Sequence, residues 1–302
     1  MSFSITPTAI ASACRSAAAA TVTIEVVAQT GSTNADLLAR AGSIGAGTAD
    51  AAADVARAAP AGERLAGPTL LVALTQTAGR GRAGRAWQSD TGSLTFSLAW
   101  PFPQSMPSLL GLPLAVGVAV ADVLAARRTE VALKWPNDIL LDGHKLAGIL
   151  IETRSAGLGG RDRDRPLQRQ TWAVTGIGIN LQASGEDARM IDGRAIAALP
   201  AIDRNDLLAE LLDALTAALQ RFEQAGLAPF VARWNELHAH AGQAVDILDQ
   251  GTILHSGVAR GVDASGRLLL DTGTPALPQV VAIVAGDVSL RARLGGAHAA
   301  VD

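Results

Sequence analysis

Asp142-Gly143 separates two apolar runs, Asp138–Leu141 and Lys145–Thr153 (KLAGILIET). An Asp-Gly pair accepts the positive φ values of a tight hairpin turn, so these runs are predicted as antiparallel neighbours. Just upstream, Val131–Trp135 is a third short strand, and Pro136-Asn137 makes the corner. Pro136 fixes φ there and removes a backbone donor. Residues 131–153 are thus predicted to fold back on themselves twice.

The flanking pattern sets the class. Thr23–Ala28, Leu70–Thr75 and Trp172–Leu181 read as strands, and Leu94, Phe96, Leu98 and Trp100 alternate along one strand face. Helices are predicted from Ser32-Thr33-Asn34 onward, over Thr48–Ala59, Pro107–Arg128, Asp203–Ala225 and Pro229–His240, with Asp203 as a cap. Hairpins and helices do not alternate in βαβ order, so an α+β fold is expected. Residues 1–21 read as a poorly ordered arm or a short helix, and Ser155–Gln170 as a solvated loop with alternating charges. After Gly242, short β-rich runs separated by Gly and Asp turns predict a small barrel or sandwich. The division expected is an arm over 1–21, a main domain over 22–241 and a small domain over 242–302.

Composition excludes several classes. Hydrophobic residues are 49% and charged residues 18%, which excludes disorder as the main state. A net charge of −3 gives no whole-chain basic footprint, so no DNA partner is expected. Cys14 is the single cysteine; it rules out an intramolecular disulfide framework and suits a reducing, cytoplasmic setting. The longest apolar stretch, Leu109–Ala126, holds Gly111, Pro113, Gly117 and Asp122 and reads as a core helix, so no membrane is expected. The histidines show no metal-ligand spacing; His238 and His240 are expected as partly exposed helix residues.

Four segments could carry chemistry. Gly79–Arg85 (GRGRAGR) and the following Trp87 place fixed cations on a backbone that a ligand can approach, though a flexible basic surface loop has the same composition. Lys134-Trp135-Pro136-Asn137-Asp138 with Lys145 supplies two ammonium groups, an amide and a carboxylate suited to Mg²⁺, or simply an exposed hairpin. These are the only two lysines, against 23 arginines, and a lysine is a compact charge where arginine is a broad fork. Gly176-Ile177-Gly178-Ile179-Asn180 places glycines inside a strand, which implies a bulge or close approach by a ligand or another backbone. Gly31-Ser32-Thr33-Asn34 caps a helix, and a helix N-terminus also suits an anion.

Together, GRGRAGR with Trp87, KWPND and KLAGIL, in this order over about Val27 to Val288, resemble the biotin protein ligases. The resemblance implies a catalytic domain like that of class II aminoacyl-tRNA synthetases, with a mixed or antiparallel sheet, followed by a small SH3-like barrel. It implies biotin contacts from Ser32, Thr33, Asn34, Gln76, Arg80, Gly81, Arg82, Lys145 and Gly148. ATP or the adenylate would meet Arg82, Arg85, Trp87, Asn137, Lys145 and Asn180, with Mg²⁺ near Asp138. Lys145, Arg80 and Arg82 would be catalytic. Biotin and ATP would form biotinoyl-5′-AMP, and a lysine of a biotin carboxyl carrier protein would then take the biotin. The protein would be a monomer or homodimer. Many bacterial relatives carry an N-terminal winged helix of about 60 residues; only about 22 residues precede the first core strand here, so the monofunctional type is expected. A lipoate or octanoate ligase or transferase on the same core is the alternative. Leu146–Ile149 and Gly176–Ile179 would wall the biotin pocket, and Arg80–Arg85 would order over it as a lid.

Overall fold

The computed structural model describes residues 4–42, 63–90, 92–157, 169–181, 190–191, 194–200, 202–249, 251–274, 277, 279–285 and 288–292. The helix expected at Thr48–Ala59 and most of the Ser155–Gln170 loop lie outside the described residues.

The framework is a mixed seven-stranded sheet. Its strands are β1 (Thr23–Thr30), β2 (Thr69–Gln76), β3 (Ser93–Phe102), β4 (Ala132–Lys134), β5 (Asp138–Leu141), β6 (His144–Gly157) and β7 (Arg169–Asn180), in the order β1-β2-β3-β7-β6-β5-β4. β1 and β2 run parallel, and every other neighbouring pair is antiparallel. The α+β expectation holds. β6 and β7 pair from Ala147–Ile179 out to Gly157–Arg169, so strand pairing reaches into the segment expected as a loop from Ser155.

Period-two alternation gives the sheet two different faces. Leu94, Phe96 and Leu98 of β3 and Ile177 and Ile179 of β7 point into the main core, which is covered by α3 (Leu112–Ala126), α4 (Arg204–Ala225) and α5 (Ala228–Glu236). Ten α3 residues are buried, and each fully buried Leu or Val contributes about 1.5–3 kcal/mol against the entropy of ordering. The long helix expected over Pro107–Arg128 is interrupted: a 3₁₀ turn, Met106–Leu109, is split from α3 at Gly111, whose φ is +88°. Met106–Ala126 is long and apolar enough to cross a membrane, yet 61% of its 18-residue apolar window is buried inside the fold.

The other face carries Thr95 and Ser97 of β3 and Gly176 and Gly178 of β7, in register with Leu150 and Gly148 of β6. Part of it is roofed by α2 (Thr33–Ala41), which packs through Leu37 and Ala41 on Leu71, Ala99 and Val174. Ser32 caps α2 and Asp203 caps α4, both as expected. A buried ion pair fixes α2: Arg40 donates to both Glu25 carboxylate oxygens, at 2.6 and 2.9 Å, and to the Glu63 carbonyl at 2.8 Å.

The N-terminal arm is a docked helix, α1 (Pro7–Ala13), with Ile10 fully buried. The Thr6 N–H donates to Asn205, and the Arg15 and Ser16 N–H groups donate to Asp213. Burial, with Asp213 second, pushes the half-buried Cys14 thiol up to about 11, which suits an inert rather than a nucleophilic cysteine.

Two short strands, β8 (Met190–Ile191) and β9 (Arg194–Ala195), form a separate ribbon. The C-terminal sheet comprises β10 (Ala244–Asp249), β11 (Thr252–Val262), β12 (Leu268–Asp271), β13 (Val280–Ile283) and β14 (Val288–Ala292). Its order is β13-β12-β11-β10-β14, so among the described residues β13 and β14 are edges and the sheet is open, where a small barrel or sandwich was expected from the sequence and an SH3-like barrel from the resemblance. Trp135 Nε1–H donates to the Gly266 carbonyl, joining this sheet to the main body. His238 and His240 differ from expectation. They lie beyond α5, only 6% and 9% exposed, because residues 237–239 run beside β4: Leu133 N–H donates to Leu237 O, and Ala239 N–H to Leu133 O.

Candidate active site

A cleft of about 860 Å³ opens over the glycine-bearing face of the sheet. All fourteen residues singled out from the sequence line it: Ser32, Thr33, Asn34, Gln76, Arg80, Gly81, Arg82, Arg85, Trp87, Asn137, Asp138, Lys145, Gly148 and Asn180. Among the described residues, Arg80, Arg82, Arg85, Lys134, Lys145 and Arg291 supply six cations to its lining, against one carboxylate from Asp138. A field of this sign concentrates anions.

Lys145 owes its direction to a β-bulge. The β5–β6 register shifts between Ile139 and Leu140, so Leu140 faces Lys145 and Leu146 is turned into the core. The Lys145 ammonium then meets Asp138 Oδ1 at 2.6 Å and lies 5.6 Å from the centre of the Trp87 ring. A cation over an indole face gains electrostatic attraction.

The Gly/Arg loop is a folded structure. Gly81 N–H donates to Arg85 O and Trp87 N–H to Gly79 O, while Arg82 donates to Asn137 Oδ1 at 3.1 Å. Ala83 and Gly84 both take positive φ, 52° and 70°. A methyl group at Gly178 would overlap the Trp87 indole, and one at Gly148 would stand 3.3 Å from both that ring and Lys145 Nζ. At Gly176 it would overlap Asn34. The strand glycines therefore admit side chains of this same protein, where the sequence suggested a bulge, a ligand or another backbone. Trp87 Nε1–H is buried with no acceptor among the described residues, although the ring borders the cleft.

The asparagines act as braces. Asn34 Nδ2 donates to Leu150 O and Glu152 Oε2, and its Oδ1 accepts from Ser97. Asn137 accepts from Arg82 and donates to Ile149 O; Asn180 donates to Lys145 O and Ala197 O. Ser32, Thr33, Gln76, the loop arginines, Trp87 and Lys145 line the same cleft.

Sequence reasoning missed Thr95, Ser97, His240 and Arg291, which line the cleft, and Glu152, which accepts from Asn34 and Arg80 beside it. Glu152 shares a β6 face with Gly148, so period-two counting from that glycine would have found it. Arg291 arrives from the C-terminal sheet, and no local pattern announces it. Burial, then His238's neighbour His240, lowers His238 to about 4; burial, then Lys134, lowers His240.

Among the described residues, no group of three His, Cys, Asp or Glu side chains is placed to hold a metal. Asp138, the cleft's one carboxylate, is already paired with Lys145. This donor set suits a Mg²⁺ that enters with polyphosphate and keeps several waters, not a resident protein-held ion.

Comparisons with known proteins agree on one relationship. Residues 62–160 match the biotin/lipoate A/B protein ligase family, and residues 240–291 match the biotin protein ligase C-terminal domain. The chain is 34% identical to the biotin–[acetyl-CoA-carboxylase] ligase of Mycobacterium tuberculosis over 275 residues, covering 88% of both. It is 36% identical over 225 residues to the bifunctional ligase/repressor BirA of Escherichia coli, covering 73% of this chain. The match spans 65% of that relative's length, just under two thirds. A solved biotin protein ligase from Aquifex aeolicus, in complex with biotin and ATP, aligns with a TM-score of 0.64 at 26% identity, covering 89% of this chain and 99% of that one. With a glycine-floored cationic cleft in which every motif converges, and a full-length relative of this similarity, the chain belongs to the biotin protein ligase family.

Proposed function

We propose that this protein joins biotin to ATP as biotinoyl-5′-AMP and transfers the biotin to a lysine of a biotin carboxyl carrier protein. The carrying observation is the convergence of Arg82, Arg85, Trp87 and Lys145 on one cleft beside Thr33 and Gln76. In the first step the biotin carboxylate attacks the α-phosphorus and pyrophosphate leaves; two anions must approach each other. Lys145 would bond carboxylate and phosphate oxygens in turn, with Arg80 and Arg82 adding charge from the loop. Removing one such charge-stabilising group typically costs about 10²–10³ in rate. Trp87 would offer adenine a stacking face, and Asn137 and Asn180 would support the nucleotide side by holding Arg82 and the Lys145 backbone. Asp138 would meet the Mg²⁺ carried by the triphosphate, which neutralises phosphate charge. In the second step the carrier lysine amine attacks the mixed anhydride and AMP leaves. No nucleophile of the enzyme is consumed, so positioning and electrostatics carry the catalysis.

Biotin's head, a cyclic urea, suits the Ser32, Thr33 and Gln76 end of the cleft, with Gly81 and Gly148 leaving backbone accessible. We assign residues 22–241 to a class II synthetase-like catalytic unit and 242–302 to a small SH3-like unit, and place the protein in the cytoplasm. Incubation with ATP, biotin and a carrier domain should give a product that avidin detects. Labelling with lipoate in place of biotin, and none with biotin, would transfer the reading to a lipoate ligase.

A further inference from the structure

One row of paired residues crosses the floor of the cleft from β3 to β4. Thr95 pairs with Gly178, Gly178 with Gly148, Gly148 with Asp138, and Asp138 with Lys134. All five border the cleft, which therefore follows this row across the sheet. Thr33 and Gln76, bonded to each other, stand at its β2–β3 end. Lys145 stands further along, on β6. β4 lies two strands beyond β6, about 10 Å at the usual strand spacing.

At the β4 end two residues from outside every sequence motif join Lys134. His240 follows the segment that ladders onto β4, and Arg291 comes from β14. Both border the cleft. The His240 ring is held in a stack: its centre lies 6.3 Å from that of His238, which lies 4.7 Å from that of Trp234. His240 is buried, and its Nδ1 is sealed with no partner among the described residues. A hydrogen on that sealed nitrogen would have no acceptor, so the hydrogen belongs on Nε2, the nitrogen left to meet the cleft. Burial, then Lys134, lowers the ring's pKa below the usual 6.5, so at pH 7 it offers a donor without adding charge.

In the first step of the proposed reaction a carboxylate oxygen bonds to the α-phosphorus while the bond from that phosphorus to its bridging oxygen breaks. The electron pair stays on the departing pyrophosphate, and no proton has to move. Attacking and leaving oxygens stand roughly in line in such a transfer. With the biotin head at the Thr33–Gln76 end and Lys145 beside the reacting carboxylate, the leaving group departs toward β4. We propose that the β4 end of the cleft seats the two terminal phosphates of ATP, and that His240 is a binding residue there, donating from Nε2 to a phosphate oxygen alongside Lys134 and Arg291. The direction of the reaction rests on the biotin reading above; the seat itself is tested with ATP alone.

Calorimetry of ATP with Mg²⁺ and of AMP, each alone, with wild type, His240→Phe and His240→Gln tests this. His240→Phe keeps an aromatic ring in the stack and removes the donor, and His240→Gln restores a donor. His240→Phe should weaken ATP about tenfold and leave AMP within about twofold, because AMP lacks the two terminal phosphates. His240→Gln should regain at least about threefold of that loss. Unchanged ATP affinity in His240→Phe, equal loss of ATP and AMP, or His240→Gln no better than His240→Phe overturns the proposal. In biotin-dependent ATP–pyrophosphate exchange, His240→Phe should raise the pyrophosphate KM by a similar factor and leave the biotin KM within about twofold; an unchanged pyrophosphate KM counts against the seat. Should His240→Phe fail to fold, Arg291→Ala, at an exposed position, reads the same end: ATP weakened with AMP unaffected supports the proposal, and ATP unaffected refutes it. A folded wild type that binds ATP but shows no exchange with biotin overturns the biotin reading, and the contrast between ATP and AMP in the variants still decides the seat.

Discussion

The Trp87 indole rests on Gly178 so closely that a single methyl group at 178 would overlap it. The glycine is there for the tryptophan, and the tryptophan borders the cleft. Gly178→Ala should therefore push the ring off the sheet. Overpacking of this kind costs about 1–3 kcal/mol in stability. The ATP KM should rise about tenfold, more than the biotin KM, as a stacking face is worth about 1–3 kcal/mol. An unchanged ATP KM in a folded Gly178→Ala protein would remove Trp87 from nucleotide binding.

Lys145 is held by Asp138 and by the bulge that aims it. Lys145→Ala should slow adenylate formation by about 10²–10³, read by biotin-dependent ATP–pyrophosphate exchange. Lys145→Arg should recover only part of that rate, since a planar fork cannot replace a compact ammonium between carboxylate and phosphate. Wild-type exchange in either variant would contradict the role given to Lys145.

Arg82 ties the loop to the hairpin corner through Asn137, alongside the Arg80–Glu152 pair. Arg82→Gly should loosen the loop and let biotinoyl-5′-AMP escape, so that free adenylate accumulates in solution and added proteins become labelled. Hydrogen exchange should show the wild-type Arg80–Arg85 amides gaining protection when biotin binds. Equal protection with and without biotin would sink the lid.

The Arg40–Glu25 pair is buried, and losing one partner of such a pair costs about 3–5 kcal/mol because a carboxylate is left without a counter-charge. Arg40→Met should show that loss in chemical denaturation, and Arg40→Met with Glu25→Leu should recover most of it. Because α2 carries Ser32 and Thr33 at its start, the single variant should also weaken biotin binding. Additive losses in the double variant would mean that the pair is not coupled.

Burial lowers His238 from the usual 6.5 to about 4, with the nearby His240 contributing second. Between those two values the unfolded chain takes up a proton that the native state refuses. Stability is thus complete above about pH 6.5 and falls as the pH drops toward 4, by an amount on the order of 3 kcal/mol. His240, lowered by burial and Lys134, acts in the same direction. Denaturation curves at pH 7 and 5 should show the difference, and His238→Phe should reduce it. An equal pH response in that variant would place its origin elsewhere.

The hairpin at Asp142-Gly143, the α2 cap at Ser32 and the alternation of β3 were legible in sequence because each follows from neighbours within a few residues. Residue identity also marked the cleft, since lysine, asparagine and glycine were scarce or out of place where they appeared. Register was not legible. Which strand faces Gly176, and hence that Asn34 occupies the space above it, depends on pairing between distant segments. The burial of His238 and His240 arises in the same way, from a backbone ladder to β4 about a hundred residues upstream. The break before α3 was hidden because Leu110-Gly111 sits inside an unbroken apolar run, and only the turn at Gly111 separates the two segments.

Both lysines of this chain border the same cleft. An acyl phosphate anhydride made there, as the proposed function requires, would find almost no primary amine elsewhere on this chain, so the protein would be a poor target for its own activated product. By the same token, an amine-selective reagent would mark the cleft and the chain terminus and little else, and protection from it by a bound molecule would report occupancy directly.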